Sequence, residues 1–190
     1  VSADQGQTAG FEELALPLFD ALYNLAHWLT QNREEAEDLV QETYVKALKG
    51  FSSFQPGTNF RAWMYRILRN TFLTSRSGLR ERNTVALEPE AEELLPGGPE
   101  TPESILIDRA SEQMMQEAME GLPVIYREVL LLCEVEEMSY QEIAEVLSIP
   151  MGTVMSRLAR ARKSLRQALQ QQTDSAGGRA TSQKGADHGV

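Results

Sequence analysis

Between Ser139 and Leu169 the chain spells two helices and the turn between them. Ser139-Tyr140-Gln141-Glu142 is a capping box: the serine oxygen can accept from the backbone three residues on, and the glutamate can answer it. Ile143, Ala144 and Leu147 then share one face of a short helix. Ser148-Ile149-Pro150 breaks it, because proline has no N–H with which to continue the ladder. A second helix is predicted from about Gly152-Thr153, with Val154, Leu158, Ala161, Leu165 and Leu169 on one face. A short helix, a tight turn and a longer basic helix describe a helix-turn-helix. Thr153, Ser156, Arg157, Arg160 and Lys163 lie off the apolar stripe. There, N-terminal polar side chains would meet base edges and later bases would meet phosphates. The plainer reading, a solvated face whose C-terminal bases answer the helix dipole, accounts for Lys163 and Arg166 better than for Arg157.

The rest of the chain carries the same three- and four-residue apolar spacing. Residues 11–30 read as a helix through Leu14, Leu18, Leu22, Leu25 and Leu29, with Pro17 near its start. Residues 34–49 read as another, with Ala36, Leu39, Val40, Thr43, Tyr44, Ala47 and Leu48 inward, acids in the first turn and Gly50 as the stop. Phe51–Asn59 is a loop by its Pro-Gly step, and Thr58 or Asn59 could cap the helix that follows. That helix is predicted from Phe60 to about Ser75, with Phe60, Trp63, Met64, Ile67, Leu68, Thr71 and Phe72 on one face and Arg61, Tyr65, Arg69 and Arg76 outside it. Residues 83–100, with three prolines and five glutamates, form an acidic linker. Thr101-Pro102-Glu103 opens a helix expected to reach Glu120 through Ile105, Ala110, Met114, Met115 and Ala118. Residues 123–135 make one more, with Ile125, Val129, Leu130, Leu132 and Cys133 inward. The expectation is an all-α chain of two small helical domains, 11–82 and 101–169, joined by the flexible linker. Residues 1–10 and 170–190 read as disordered ends.

Charge adds function to this plan. The formal net charge is −10, yet residues 60–82 hold six arginines against one acid, and residues 151–169 hold five bases and no acid. Between them, residues 86–150 hold sixteen acids and two bases. Two segregated basic faces on an acidic body suggest two contacts with nucleic acid and poor non-specific affinity elsewhere. Asn70 and Arg66 could reach base edges, and Tyr65 could stack on an unpaired base. No apolar run is long enough to cross a bilayer, and the polar N-terminus has no secretory signal. One cysteine, read as core, fits a reducing cytoplasm, and two distant histidines argue against a metal site. No catalytic constellation or cofactor motif emerges, so an enzyme is not expected.

In this order the elements resemble an extracytoplasmic-function (group IV) sigma factor of bacterial RNA polymerase. Residues 35–44 are similar to region 2.2, residues 60–70 to regions 2.3–2.4, and residues 140–166 to region 4.2, including Gly152-Thr153-Val154-Met155-Ser156-Arg157. The resemblance implies roles that spacing alone does not. Glu35, Asp38, Leu39, Gln41 and Glu42 would face the β′ clamp helices of core polymerase, and region 4 would meet the β flap. Ser53, Phe54, Gln55, Thr58, Asn59, Arg61, Tyr65, Arg66, Arg69 and Asn70 would hold and melt the −10 element. Gly152, Thr153, Met155, Ser156, Arg157, Arg160 and Lys163 would read the −35 duplex. Met155 and Ala159 depart from the basic and bulky residues common there, so the −35 sequence does not transfer from relatives. An anti-sigma partner, a cytoplasmic location, a free monomer and no inserted membrane segment are also implied. Two other readings compete: a decoy that sequesters an anti-sigma factor without touching DNA, and a stand-alone helix-turn-helix repressor. The first should have lost its DNA-facing bases, and the second should bind duplex tightly alone.

Overall fold

The computed structural model describes residues 10–82 and 112–182, with side chains to Arg76 in the first span and to Asp174 in the second. All regular structure among them is helical. Helix α1 (residues 10–15) runs into a tight 3₁₀ turn at Leu16–Leu18, where Pro17 removes a donor. Helix α2 is Phe19–Thr30 and α3 is Arg33–Gly50. The helix read over 11–30, with its regular part expected to begin near Pro17, is broken there and its regular part starts at Phe19. Gln31 closes α2 in the left-handed region, and Asn32 caps α3 by accepting from Glu35 N at 3.1 Å. Gly50 does not stop α3 by a left-handed turn; the chain tightens into a 3₁₀ turn at Phe51–Ser53 instead.

Helix α4 (Phe60–Arg82) starts where Asn59 Oδ1 accepts from Ala62 N at 3.0 Å, and it outlasts the predicted end at Ser75. Helices α2, α3 and α4 pack together around Leu22, Leu25, Leu29, Leu39, Val40, Met64 and Leu68.

The second unit begins at α5 (Glu112–Glu120); its expected opening at Thr101 and the linker lie outside the described residues. Helix α6 (Val124–Leu130) widens into a π-helical turn over Leu131–Val135, closed by Glu136 N donating to Leu131 O at 3.0 Å. Helix α7 (Tyr140–Leu147) and helix α8 (Met151–Ser182) form the predicted hairpin. The capping box is built in full: Glu142 N donates to Ser139 Oγ at 3.3 Å, and Ser139 N donates to Glu142 Oε2 at 2.8 Å. Ser148 then takes a left-handed φ of 54° and ends α7 two residues before Pro150. Helix α8 continues past Leu169 to Ser182, so the expected disordered tail is helical over its first part. Ser139→Ala is expected to lower stability by about 1 kcal/mol through loss of the cap. Urea unfolding followed by circular dichroism would measure it, and an unchanged midpoint would count against the cap.

Four inward assignments are corrected. Leu14 is 45%, Leu48 42% and Ile125 41% exposed, and Cys133 is only half-buried. Of these, Leu48 lies on an open groove between α1 and α3 that, among the described residues, is left uncovered. Among the described residues, one apolar cluster runs from Phe11 to Leu169, so the two units share a continuous core. Helix α4 packs on α7, and α2 packs on α6.

Candidate nucleic-acid interface

Helix α4 presents three faces. Its apolar face builds the first core. A second stripe, at positions 61, 65 and 69, points to the helix-turn-helix unit, because residues four apart share a side. A third, at Arg66 and Asn70, is exposed. Arg61 donates to the Glu136 backbone carbonyl and to its carboxylate, and its guanidinium lies 5.7 Å from the Tyr65 ring centroid. Tyr65, expected outside the apolar face, is fully buried, and its hydroxyl donates to Glu136. Burial, and next that bond, push its phenol well above the usual value, so it stays a donor. Arg69 forks onto Glu128 at 3.0 and 3.2 Å. The outward placement expected for Arg61, Tyr65 and Arg69 is thus replaced by contacts with the second unit.

The loop before α4 is anchored at its base and open at its tip. Phe54 packs against Phe60 and Trp63 at centroid distances of 5.1 and 5.3 Å. Ser53 Oγ donates to Gly50 O at 2.6 Å, and Thr58 Oγ1 donates to Gln55 O at 2.8 Å. Gly57 turns the tip with φ of 90°, a conformation that disfavours a side chain. Gln55, Thr58 and Asn59 are exposed, and the Asn59 amide donates to Glu142.

On α8, Gly152, Met155 and Lys163 are exposed, while Thr153, Ser156, Arg157 and Arg160 are half-buried. Val154 and Leu158 lock the helix onto its neighbours and turn this row outward. Arg157 comes within 3.9 Å of Glu128, and Arg162 is tied to Glu134 at 2.6 Å. Hydrogen bonds from the Ser139 hydroxyl, then its backbone N–H, hold the Glu142 carboxyl below the usual carboxylate range. Burial, followed by Glu134, raises the Cys133 thiol, which keeps it protonated at neutral pH.

On α3, Glu35, Asp38, Gln41 and Glu42 form an exposed row of three acids and one amide, whereas Leu39 is buried and faces the core rather than solvent. An open apolar groove of about 260 Å³ between Phe11, Leu16, Tyr44, Val45 and Leu48 lies beside this row. Sequence reading missed Glu128, Glu136 and Arg127. The first two were counted among the acids of the middle segment, and Arg127 was one of its two bases. Among the described residues no three metal-ligating side chains come together, and no helix is long and apolar enough to cross a membrane.

Residues 17–82 match the family described as Sigma-70 region 2, and residues 112–165 match Sigma-70, region 4. The ECF RNA polymerase sigma factor SigE of Mycolicibacterium smegmatis is 36% identical over 170 residues, covering 88% of this chain and 65% of the relative. SigW of Bacillus subtilis, also an ECF RNA polymerase sigma factor, is 30% identical over 87% of this chain and 91% of its own length. Among solved structures, sigma factor RpoE in complex with the anti-sigma factor NepR from Bartonella quintana superposes with a TM-score of 0.67 at 29% identity. That match covers 85% of this chain and 97% of that one. CnrH in complex with the cytosolic domain of CnrY shares the fold, with a TM-score of 0.56 at 23% identity over 89% of this chain and 93% of that one. With both halves of the architecture matched in order, the chain belongs to the ECF group of promoter-recognising RNA polymerase sigma factors.

Proposed function

We propose that this chain binds core RNA polymerase through the α3 row Glu35, Asp38, Gln41 and Glu42, reads the −35 duplex with the N-terminal half of α8, and melts the −10 element with α4 and the preceding loop. The observation that carries this is the pair of separate exposed surfaces: Arg66 and Asn70 on α4, and Gly152, Met155 and Lys163 at the start and outer side of α8. A recognition helix offers its N-terminal turns to the major groove, which suits the second surface. Bases captured from one strand offset an unpairing cost of a few kcal/mol, so melting needs no nucleotide hydrolysis by the sigma factor. An anti-sigma partner is proposed by likeness to the Bartonella quintana RpoE complex. The action is cytoplasmic, where polymerase and promoters are.

Mixing the chain with core polymerase and genomic DNA, then sequencing transcript 5′ ends, tests the reading. New starts sharing two upstream elements are expected. A start profile identical to that of core enzyme alone would refute it.

A further inference from the structure

We infer that Glu128 and Glu136 of the helix-turn-helix unit form a latch that holds Arg61, Arg69 and Arg157, three of the candidate DNA-reading arginines, in a closed, DNA-refractory conformation; this rests on the sigma-factor reading above. The central observation is one carboxylate placed between both reading helices. Glu128, with its side chain only 4% exposed, takes the fork of Arg69 from α4 and lies 3.9 Å from Arg157 of α8. Eight positions on, the buried Glu136 takes Arg61 and the Tyr65 hydroxyl. A carboxylate accepts the same planar guanidinium fork as a phosphate, so these two acids occupy the groups that a DNA strand would need.

The closure is built along the whole seam. Asn59, the N-cap of α4, donates to Glu142, the capping-box acid of α7. Gln31 donates to Glu120 O at 2.9 Å, and Arg127 donates to Trp28 O at 2.6 Å. In this arrangement Arg61, Tyr65 and Arg69 cannot also hold an unpaired strand, and Arg157 is drawn toward the protein. Arg66 and Asn70 stay outside the seam and give DNA an initial foothold. Buried ion pairs recover little net energy after desolvation. Such a contact suits a seam that opens when polymerase engages both units.

The test uses the full chain and the variants Glu128→Gln and Glu136→Gln, singly and together, each checked by circular dichroism. Neither residue belongs to the proposed DNA or polymerase surfaces. Small-angle scattering reads closure, and binding to a forked oligonucleotide carrying a −10 single strand, without polymerase, reads its consequence. A larger radius of gyration and binding tighter by at least about tenfold are expected for the double variant. Glu117→Gln with Glu145→Gln, the same charge change at exposed positions, should do neither. A folded double variant that keeps the wild-type radius and affinity would overturn the latch, as would an equal gain in the control. The single variants keep the test decisive if the double variant loses its helical signal. Wild-type transcription with core polymerase is run in parallel. Failure there would sink the sigma-factor reading, while scattering would still decide whether the two acids hold the seam shut.

Discussion

Replacing Arg127 with methionine is expected to lower the unfolding free energy by about 3–5 kcal/mol, the largest effect of any single change considered. Arg127 is 3% exposed, and its guanidinium donates to four backbone carbonyls: Met119 at 3.0 Å, Glu120 at 2.9 Å, Leu122 at 2.7 Å and Trp28 at 2.6 Å. Three of these belong to the end of α5 and its turn, where a helix leaves its last carbonyls without intrahelical partners. The fourth lies on α2, so one side chain ties the turn to the other unit. Methionine keeps much of the stem volume and removes every donor, which isolates the hydrogen bonds from packing. Burial already lowers the pKa of this guanidinium, but an arginine remains charged throughout the accessible range, so the loss should be independent of pH near neutrality. The shift in urea midpoint would measure it. A loss below about 1 kcal/mol would mean that water replaces the arginine at these carbonyls.

Arg157→Ala should weaken −35 binding by the assembled holoenzyme by about 1–3 kcal/mol, or about fivefold to 150-fold. The side chain is 20% exposed and leans toward Glu128, so engagement requires it to swing outward from the second turn of α8. Run-off transcription from a matched promoter, compared with one whose −35 element is scrambled, separates recognition from general activity. The variant should lose most of the difference between the two templates. If it discriminates as well as the wild type does, the recognition surface does not include this residue. Lys163, a turn and a half further on and exposed, should cost less and act equally on both templates, as a phosphate contact would.

What could be read from the residues follows the physics of each signal. Ser139, Glu142, Ser148 and Pro150 act within a few residues of one another, so the α7–α8 hairpin is written locally and was found at its expected place. Single apolar stripes were equally legible: Val154, Leu158, Ala161, Leu165 and Leu169 are all buried. The stripe at Arg61, Tyr65 and Arg69 was not, because its burial depends on acids 59 to 75 positions away and its residues look solvent-facing by type. Leu39 failed in the opposite sense. Its place inside an acidic, polymerase-like motif outweighed an apolar spacing that already put it inward. Leu14, Leu48 and Ile125 obey helical periodicity yet are exposed among the described residues, and periodicity names a face without saying whether anything packs on it.

The π-helical turn at Leu131–Val135 has a consequence for aim. In regular α geometry, residues eight apart differ in direction by about 80° around the axis. One wide turn between Glu128 and Glu136 unwinds most of that difference, so both carboxylates come to bear on the same side of α4. The five residues from Leu131 to Val135 therefore work as a rotary offset. A sequence with the same two glutamates on an unbroken α-helix would point only one of them at its target.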